Sequence, residues 1–192
     1  MIETRNRIKI KKLLIIPFGE VSRKRSTIHK MTPMTYKEGL NIAIYAIDDD
    51  TSMRLTLTAI FKQHNVPNFT MYSNPRELLE DLHRDVHVCI IDYDLNDSDY
   101  DGVTLMQAIK AKNSWCKCII MSGYEEGAVI KRFLNCGAFR YITKGEPHFL
   151  EHLMKYLNDA LTEVYDNISF YSTLLEQLRI SKDTLVKIKD NV

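Results

Sequence analysis

The chain has 192 residues, of which 45% are hydrophobic, so it can hold one α/β domain of about 100 to 150 residues with extensions. Residues 1–38 carry ten of the 26 basic residues but three of the 25 acidic ones, so the front of the chain is basic and the rest acidic. No apolar run approaches the ~20 residues that span a bilayer, and residues 13–16 are too short for a secretory signal. We therefore expect a cytoplasmic protein without a membrane span.

Beyond residue 40, short β-rich apolar runs alternate with stretches whose apolar residues recur at helical spacing. The predicted strands are residues 41–47, 69–72, 86–91, 118–121 and 139–143, and a helix is predicted after each of them. Such runs are typical of parallel strands covered on both faces by right-handed crossover helices. The sequence predicts a doubly wound α/β fold of the flavodoxin-like type, with five parallel strands in the order 2-1-3-4-5.

Polar residues follow four of these strands at the end where each run stops. They are Asp48 and Asp49 after the first strand, Asp92 after the third, Ser122 after the fourth and Lys144 after the fifth. In a parallel sheet these positions meet at one edge, where ligands bind. Three carboxylates placed together repel one another and need a cation, and carboxylate oxygens are ligands that Mg²⁺ prefers. The nearby ammonium and hydroxyl groups suit a phosphoryl group.

Four segments in this context resemble the receiver domain of two-component response regulators, over about residues 39–165. They are residues 47–54 with the Asp-Asp pair, residues 90–95 with the later Asp101-Gly102 pair, residues 121–123 (Met-Ser-Gly), and residues 137–144. Each segment alone is common, but four in this order and in these elements are specific to the family. The resemblance implies a CheY-like phosphorelay domain.

The resemblance implies that Asp92 accepts a phosphoryl group from a sensor histidine kinase or a histidine phosphotransfer protein. It implies that Asp49 and Asp92 bind Mg²⁺ directly and that the backbone carbonyl of Asp94 is a further ligand. Asp48 would act mainly through a bound water. Such a protein is a phosphoacceptor that loses its phosphoryl group slowly, and not an enzyme with turnover.

The resemblance also assigns a switch. Ser122 and Lys144 would neutralise charge on the transferred group, and Ser122 would move toward it while Tyr141 turns inward. The helix after the fourth strand, the fifth strand and the last helix would then present an altered face to a protein effector. We expect the signal to pass by this conformational change or by a change in dimerisation, with dimerisation or partner docking through the C-terminal helix.

Several positions depart from the family pattern. Asn96 and Gly145 stand where prolines are usual, and the loop before Asp101 is about two residues longer than common. Asp94 and Tyr124 occupy the two positions that flank the hydrolytic water in the family. We expect a second carboxylate and a bulky ring there to slow hydrolysis of the acyl phosphate.

Two other functions fit the same residues. A receiver-like adaptor with vestigial phosphorylation is consistent with Asn96 and Gly145. A Mg²⁺-dependent phosphohydrolase on a similar fold would use Asp94 as its general acid, although the chain lacks an obvious cap insertion over the substrate. Turnover of a generic phosphomonoester would distinguish that enzyme from a receiver.

The C-terminal region has no Gly or Pro after residue 148, and its apolar residues recur in steps of four and three: Leu150, Met154, Leu157, Leu161, Val164, Ile168, Tyr171, Leu175 and Leu178. This 3.5-residue spacing is typical of a coiled-coil seam. We expect a receiver core over residues 39–148, a fifth helix to about residue 165, and a helical extension over 166–192 that forms a homodimer. The leader or a partner helix are the other candidates for covering it. Lys182 weakens the seam, and Asn167 and Ser181 are candidate break points.

The basic leader over residues 1–38 fits a strand with one basic face, an arm for nucleic acid or anionic membrane, or a solvated tail. No helix-turn-helix pattern is visible, so we expect no direct DNA binding. We expect Trp115 to serve in packing and His148 and His152 to face solvent. The four cysteines, without zinc-type spacing, are expected to be reduced core thiols.

Overall fold

The computed structural model describes residues 41–82, 86–124 and 127–189. The basic leader predicted over residues 1–38 lies outside these ranges. Within them, no helix combines the length and the apolar character needed to cross a membrane.

Five parallel strands form one sheet in the described part of the chain, in the order β2-β1-β3-β4-β5. The strands are β1 (Ala43–Ile47), β2 (Phe69–Tyr72), β3 (Val86–Asp92), β4 (Lys117–Ser122) and β5 (Arg140–Thr143). The register pairs Ile47 with Ile91, and Ser122 with Thr143, so the carboxyl ends of neighbouring strands lie side by side. The predicted fold and strand order are confirmed.

A helix follows each strand: α1 (Thr51–Gln63), α2 (Pro75–Glu80), α3 (Gly102–Lys112), α4 (Gly127–Asn135) and α5 (Phe149–Lys189). Side chains in the preceding loops cap three of them. The Asp50 side chain accepts a hydrogen bond from the Ser52 amide at α1, and the Asn74 side chain accepts one from the Arg76 amide at α2. Asp101 forms a capping box with Thr104 at α3. These caps satisfy amide groups that have no partner inside the helix, and they fix where each helix begins.

Two apolar layers cover the sheet, because successive residues of a strand point to opposite faces. Ile90 packs in the layer under α1 and α5, whereas its neighbour Ile91 packs in the layer under α2, α3 and α4. Leu153 and Leu157 of α5 are fully buried in the first layer, and burial of such a side chain contributes about 1.5–3 kcal/mol. The sheet is therefore rigidly held, and its carboxyl edge is left free for the site.

α5 is one unbroken helix from Phe149 to Lys189, so the break points expected near Asn167 and Ser181 are wrong. Asn and Ser cost a helix interior only about 0.5 kcal/mol relative to Ala, which is too little to interrupt it without Gly or Pro. The helix is buried against the sheet as far as Val164 and Tyr165, and Ile168 is partly buried against the same layer. Further along, the exposed large apolar side chains are Phe170, Tyr171, Leu174, Leu175 and Leu178.

Trp115, expected to serve in packing, has its ring edge to face with that of Tyr171, although its side chain is 66% exposed. It lies in the turn between α3 and β4, past the amino edge of the sheet. Cys89, Cys116 and Cys118 are free and buried, and Cys136 is free and half-buried. His148 and His152 are exposed and lie near Glu151 and Glu146 respectively.

Candidate functional site

The candidate site lies at the carboxyl edge of the sheet, where β1 and β3 end side by side. Asp48 follows β1 and Asp92 ends β3, and these residues are 0% and 1% exposed. Asp49 is half-buried next to them, and one carboxylate oxygen from each of the three lies within 4.8 Å of the others. The structure thus brings together the three carboxylates that the sequence placed after these strands. Oxygen ligands at this spacing fit a hard divalent cation such as Mg²⁺.

Lys144 reaches the carboxylates from the end of β5. Its Nζ lies 2.8 Å from Asp48 Oδ2 and 2.7 Å from Asp92 Oδ2, and its backbone N–H donates to the Ser122 carbonyl oxygen at 2.7 Å. Burial alone would lower the pKa of Lys144, but its hydrogen bonds to the two carboxylates outweigh burial and leave the pKa raised. Lys144 is therefore charged, and it offsets only part of the negative charge at this edge.

The electrostatic environment of Asp92 is unusual for a carboxyl group. Burial raises its pKa to about 6, the hydrogen bond from Lys144 opposes that shift, and repulsion from Asp48 adds to it. A cation placed among these oxygens would favour the ionised form. The site thus combines a buried carboxyl group with a net negative charge that a bound metal ion would offset.

The turn after β1 is fixed by hydrogen bonds. Asp48 Oδ1 accepts from the Asp50 amide at 2.9 Å, and Asp50 itself caps α1 and so leaves the cluster. Nη1 of Arg54 donates to the carbonyls of Asp48 and Asp49 at 2.8 and 2.7 Å. Arg54 therefore fixes the backbone that carries both carboxylates. The sequence reasoning gave Arg54 no role, and its spacing from the Asp-Asp pair was the available signal.

Asn96 makes a contact that the sequence reasoning missed. Its Nδ2 donates to Asp49 Oδ2 at 2.7 Å, so the loop between β3 and α3 is tied to one of the predicted metal ligands. Asp94, by contrast, is exposed and its carboxylate lies outside the cluster, although its amide lies 3.4 Å from Asp92 Oδ1. The predicted role of its backbone carbonyl as a ligand stays a prediction.

Gly102 allows α3 to approach the end of β3 closely. A Cβ at this position would lie 2.7 Å from Tyr93 Cα and 2.8 Å from the carbonyl oxygen of Asp92. The Gly102 amide donates to the Tyr93 carbonyl at 3.0 Å. Any side chain here would push the backbone that carries Asp92 out of place, which is the physical reason for glycine in the Asp101-Gly102 pair.

Ser122 and Tyr141, the predicted switch residues, both bond to the backbone of Tyr124. The buried Ser122 Oγ accepts from the Tyr124 amide at 3.1 Å, and the Tyr141 hydroxyl donates to the Tyr124 carbonyl at 2.5 Å. Tyr141 is half-buried with its ring 5.7 Å from that of Phe133, and burial is the main cause of its raised pKa. A displacement at Ser122 would therefore reach Tyr141 through one residue.

Comparison with known proteins gives a consistent result. A family model described as "Response regulator receiver domain" matches residues 44–158, which is more than half of the chain. "Transcriptional regulatory protein ZraR" of Escherichia coli K12 is 27% identical over 125 residues, covering 65% of this chain and 27% of that protein. "Regulatory protein AtoC" of the same organism is 26% identical over 118 residues, covering 62% and 25%. The chain spans about a quarter of the length of these curated relatives.

The fold comparison agrees with the family model. The crystal structure of a response regulator receiver protein from Pseudoalteromonas atlantica is similar with a TM-score of 0.55 and 17% identity. The match covers 65% of this chain and 99% of that one. At this identity the likeness supports the fold alone.

Proposed function

The chain belongs to the response regulator receiver domain family, and we propose that its receiver domain accepts a phosphoryl group on Asp92. The observation that carries the proposal is the position of Asp92 Oδ2. It lies at the end of β3, 2.7 Å from Lys144 Nζ, among two further carboxylates that fit a divalent cation. Asp92 thus shares the Lys144 ammonium with Asp48, and both carboxylates lie beside Asp49.

Asp49 and Asp92 would hold Mg²⁺ directly together with the backbone carbonyl of Asp94, and Asp48 would bind through a water molecule. Bound Mg²⁺ supplies positive charge against the phosphoryl oxygens during transfer. Arg54 fixes the backbone of Asp48 and Asp49, and Lys144 holds the carboxylates of Asp48 and Asp92, before any ligand arrives, so little rearrangement is needed at the moment of reaction.

In the proposed transfer, a carboxylate oxygen of Asp92 bonds to the phosphorus of a phosphohistidine. The bond between phosphorus and the imidazole nitrogen breaks, and its electron pair returns to the imidazole ring. Lys144 then exchanges its contact with Asp92 for one with a phosphoryl oxygen, and the Ser122 hydroxyl donates to another. The protein contributes position and charge, and the product is an aspartyl phosphate.

The proposed output begins at Ser122. As its hydroxyl turns toward the phosphoryl group, the hydrogen bond from the Tyr124 amide is lost, and Tyr141, which also bonds to Tyr124, moves further inward. The face made by α4, β5 and α5 would change, and a protein effector with different affinity for the two forms would read that change.

The partners and location remain proposals. The phosphodonor would be a histidine kinase or a histidine phosphotransfer protein, and the location would be the cytoplasm. We keep the expectation of no direct DNA binding for this chain, although the two curated relatives carry the names of regulators, one of them transcriptional. The match covers only about a quarter of each relative, so it does not reach the rest of those proteins.

The test is exposure of the protein to acetyl phosphate and MgCl₂, followed by intact mass measurement. We expect wild type to gain the mass of one phosphoryl group, Asp92→Asn to gain none, and EDTA to suppress the gain. Asp94→Asn is the matched control, because it removes a nearby carboxylate outside the cluster, and it should still gain the group. A gain of the same size in Asp92→Asn would refute the proposal.

An adaptor with vestigial phosphorylation is the second candidate, and the bond from Asn96 to Asp49 is the observation that favours it, because it occupies an oxygen intended for metal. Absence of any mass gain with several phosphodonors would support the adaptor. Turnover of a generic phosphomonoester would instead support the phosphohydrolase, which would use Asp94 as its general acid.

A further inference from the structure

Exposed large apolar side chains are concentrated at one end of the molecule. Nine are exposed in the described part of the chain, and Leu55, Tyr124 and Leu134 lie apart from one another on α1, the β4–α4 loop and α4. The other six lie on α5 beyond Tyr165 and in the turn before β4: Trp115, Phe170, Tyr171, Leu174, Leu175 and Leu178. Single exposed apolar residues are ordinary, but a contiguous group marks an interaction surface.

We call these six residues the extension face. At about 100° per residue, the five on α5 fall on one stripe of the helix, and no charged residue is among them. A cleft of about 490 Å³ lies between α5 and the start of β3, with Val86, Trp115, Ile168 and Leu175 in its walls. Its walls also include the polar side chains of His87, Asn113, Asn167 and Ser172, but no Lys, Arg, Asp or Glu. A concave and largely apolar surface of this kind suits a protein helix and not a nucleic acid.

Hydrogen bonds and a ring contact fix the position of Trp115 at the side of the cleft. Nδ2 of Asn113 donates to the Val86 carbonyl at 2.7 Å, and Oδ1 of Asn113 accepts from the Trp115 amide at 3.1 Å. The Trp115 ring meets the Tyr171 ring edge to face, with centroids 5.7 Å apart. The turn and the helix therefore form one preorganised surface, which lowers the ordering cost of binding.

We propose that the extension face pairs with the same face of a second copy of this chain, and that it does so whether or not Asp92 is phosphorylated. From Asp166 to Lys189 the helix is about 36 Å long at ~1.5 Å per residue, and in proteins most of the stability of a helix comes from packing of its apolar face. A helix of equal length and equal 3.5-residue spacing is what a second copy provides. The second half of the proposal rests on the phosphorylation of Asp92 proposed above.

The exposed area fits a dimer. Six large side chains that are roughly half exposed present on the order of 600 Å² of apolar surface, close to the ~800 Å² that each partner buries in a standard interface. Adjacent backbone and polar rims would supply the remainder. The extension face thus exposes more apolar area than an isolated apolar residue does. Burial of this area favours association whenever the face is exposed to water.

The position of the extension face explains why phosphorylation is not required. Asp92, Ser122 and Lys144 lie at the carboxyl edge of the sheet, whereas Val86 and Trp115 lie at the amino edge, past the far end of the strands. The apolar layers between these edges are closely packed. The proposed dimer is thus permanent, and the phosphorylation signal would pass instead through the face made by α4, β5 and the part of α5 that packs on the sheet.

The experiment is sedimentation equilibrium of the full chain with and without acetyl phosphate and MgCl₂, with phosphorylation of Asp92 checked by intact mass. The test variant is Leu175→Glu, and the matched control is Leu55→Glu, since these leucines are 66% and 67% exposed. Trp115 is the single tryptophan of the chain, so its emission reports burial of the extension face. Circular dichroism verifies that each variant is folded.

We expect a wild-type dimer with the same dissociation constant in both conditions, and Trp115 emission that shifts to the blue as protein concentration rises. Leu175→Glu should raise the dissociation constant at least about 100-fold, because it places a charge in an apolar seam, while Leu55→Glu should leave it unchanged. A monomer in both conditions, a dimer only after phosphorylation, or equal weakening by the two variants would overturn the proposal. If Asp92 does not accept a phosphoryl group, the intact mass will not increase, whereas the sedimentation result will still report whether the protein is a dimer.

Discussion

The carboxyl edge of the sheet carries more negative charge than Lys144 balances, whereas the extension face exposes apolar side chains to solvent. At the carboxyl edge, Lys144 faces the buried carboxylates of Asp48 and Asp92 with Asp49 close by, so the excess is negative charge. At the extension face, side chains such as Trp115 face solvent, so the excess is apolar surface. Each excess supports one of the two proposals: binding of a cation and a phosphoryl group at the carboxyl edge, and pairing with another apolar helix at the extension face.

The two regions also differ in how they are held. The ends of β1, β3, β4 and β5 all contribute to the carboxyl edge, and hydrogen bonds fix its turns. One helix and one turn form the extension face. Substitutions at the carboxyl edge should therefore change both stability and chemistry, whereas substitutions on the extension face should change association alone.

The largest effect on stability is expected from Lys144→Met. Removing one partner of a buried ion pair leaves carboxylates without compensation, which costs about 3–5 kcal/mol. Urea unfolding should show this loss in EDTA, and MgCl₂ should recover part of it because the metal replaces the missing charge. Lys155→Met, on an exposed position of α5, is the control and should change little. A loss for Lys144→Met that Mg²⁺ does not reduce would argue against a metal site here.

The next effect concerns pH. Burial raises the pKa of Asp92 from 3.8 to about 6, so ionising it is harder in the folded protein than in the unfolded chain. The destabilising contribution is absent below pH ~4 and complete above pH ~6, where it reaches up to about 3 kcal/mol. In EDTA, wild type should therefore lose stability relative to Asp92→Asn as pH rises through this window. Parallel stability curves for the two proteins would contradict the assignment.

Gly102→Ala should be costly as well. Its Cβ would lie 2.7 Å from Tyr93 Cα, a backbone atom that cannot move without shifting Asp92, and such overpacking costs about 1–3 kcal/mol. Gly123→Ala is the matched control, because a Cβ there meets nothing within 4 Å. Thermal unfolding of the two variants, with phosphoryl uptake measured alongside, separates them. Equal melting temperatures would show that α3 does not pack tightly against the end of β3 at Gly102.

Asn96→Ala tests the link between the β3–α3 loop and the metal ligand. Outer hydrogen bonds orient ligating carboxylates, and their loss weakens metal binding by about tenfold or more; the exposed bond to Asp49 should lie at the low end. Calorimetric titration with MgCl₂ measures the affinity, with Ser98→Ala of the same loop as control. Tighter binding in Asn96→Ala would mean that the amide competes with the metal instead of orienting its ligand.

The smallest effect is expected on the lifetime of the acyl phosphate. Asp94 and Tyr124 are both exposed next to the site, where they would hinder the attacking water. Asp94→Asn and Tyr124→Ala should therefore each release phosphate a few times faster than wild type, by the removal of repulsion and of bulk respectively. Phosphate release after removal of the donor gives the rates, and unchanged rates in both variants would refute this role.

The sheet could be predicted because buried parallel strands must be apolar on both faces, so β1 to β5 stood out as short runs, and the ends of those runs located Asp48, Asp92, Ser122 and Lys144. Contacts made by loops could not be predicted. The bond from Asn96 to Asp49 depends on the path of an irregular segment, which no periodicity encodes. The exposure of Trp115 likewise depends on where a turn lies relative to the apolar layers.

The central claim is that Asp92 alone among the clustered carboxylates takes the phosphoryl group. Borohydride reduction converts an aspartyl phosphate to homoserine, so treatment with acetyl phosphate and MgCl₂, reduction and peptide sequencing by mass would locate it. The account predicts homoserine at position 92 and at no other aspartate. Homoserine at position 48, 49 or 94, with residue 92 unmodified, would contradict it.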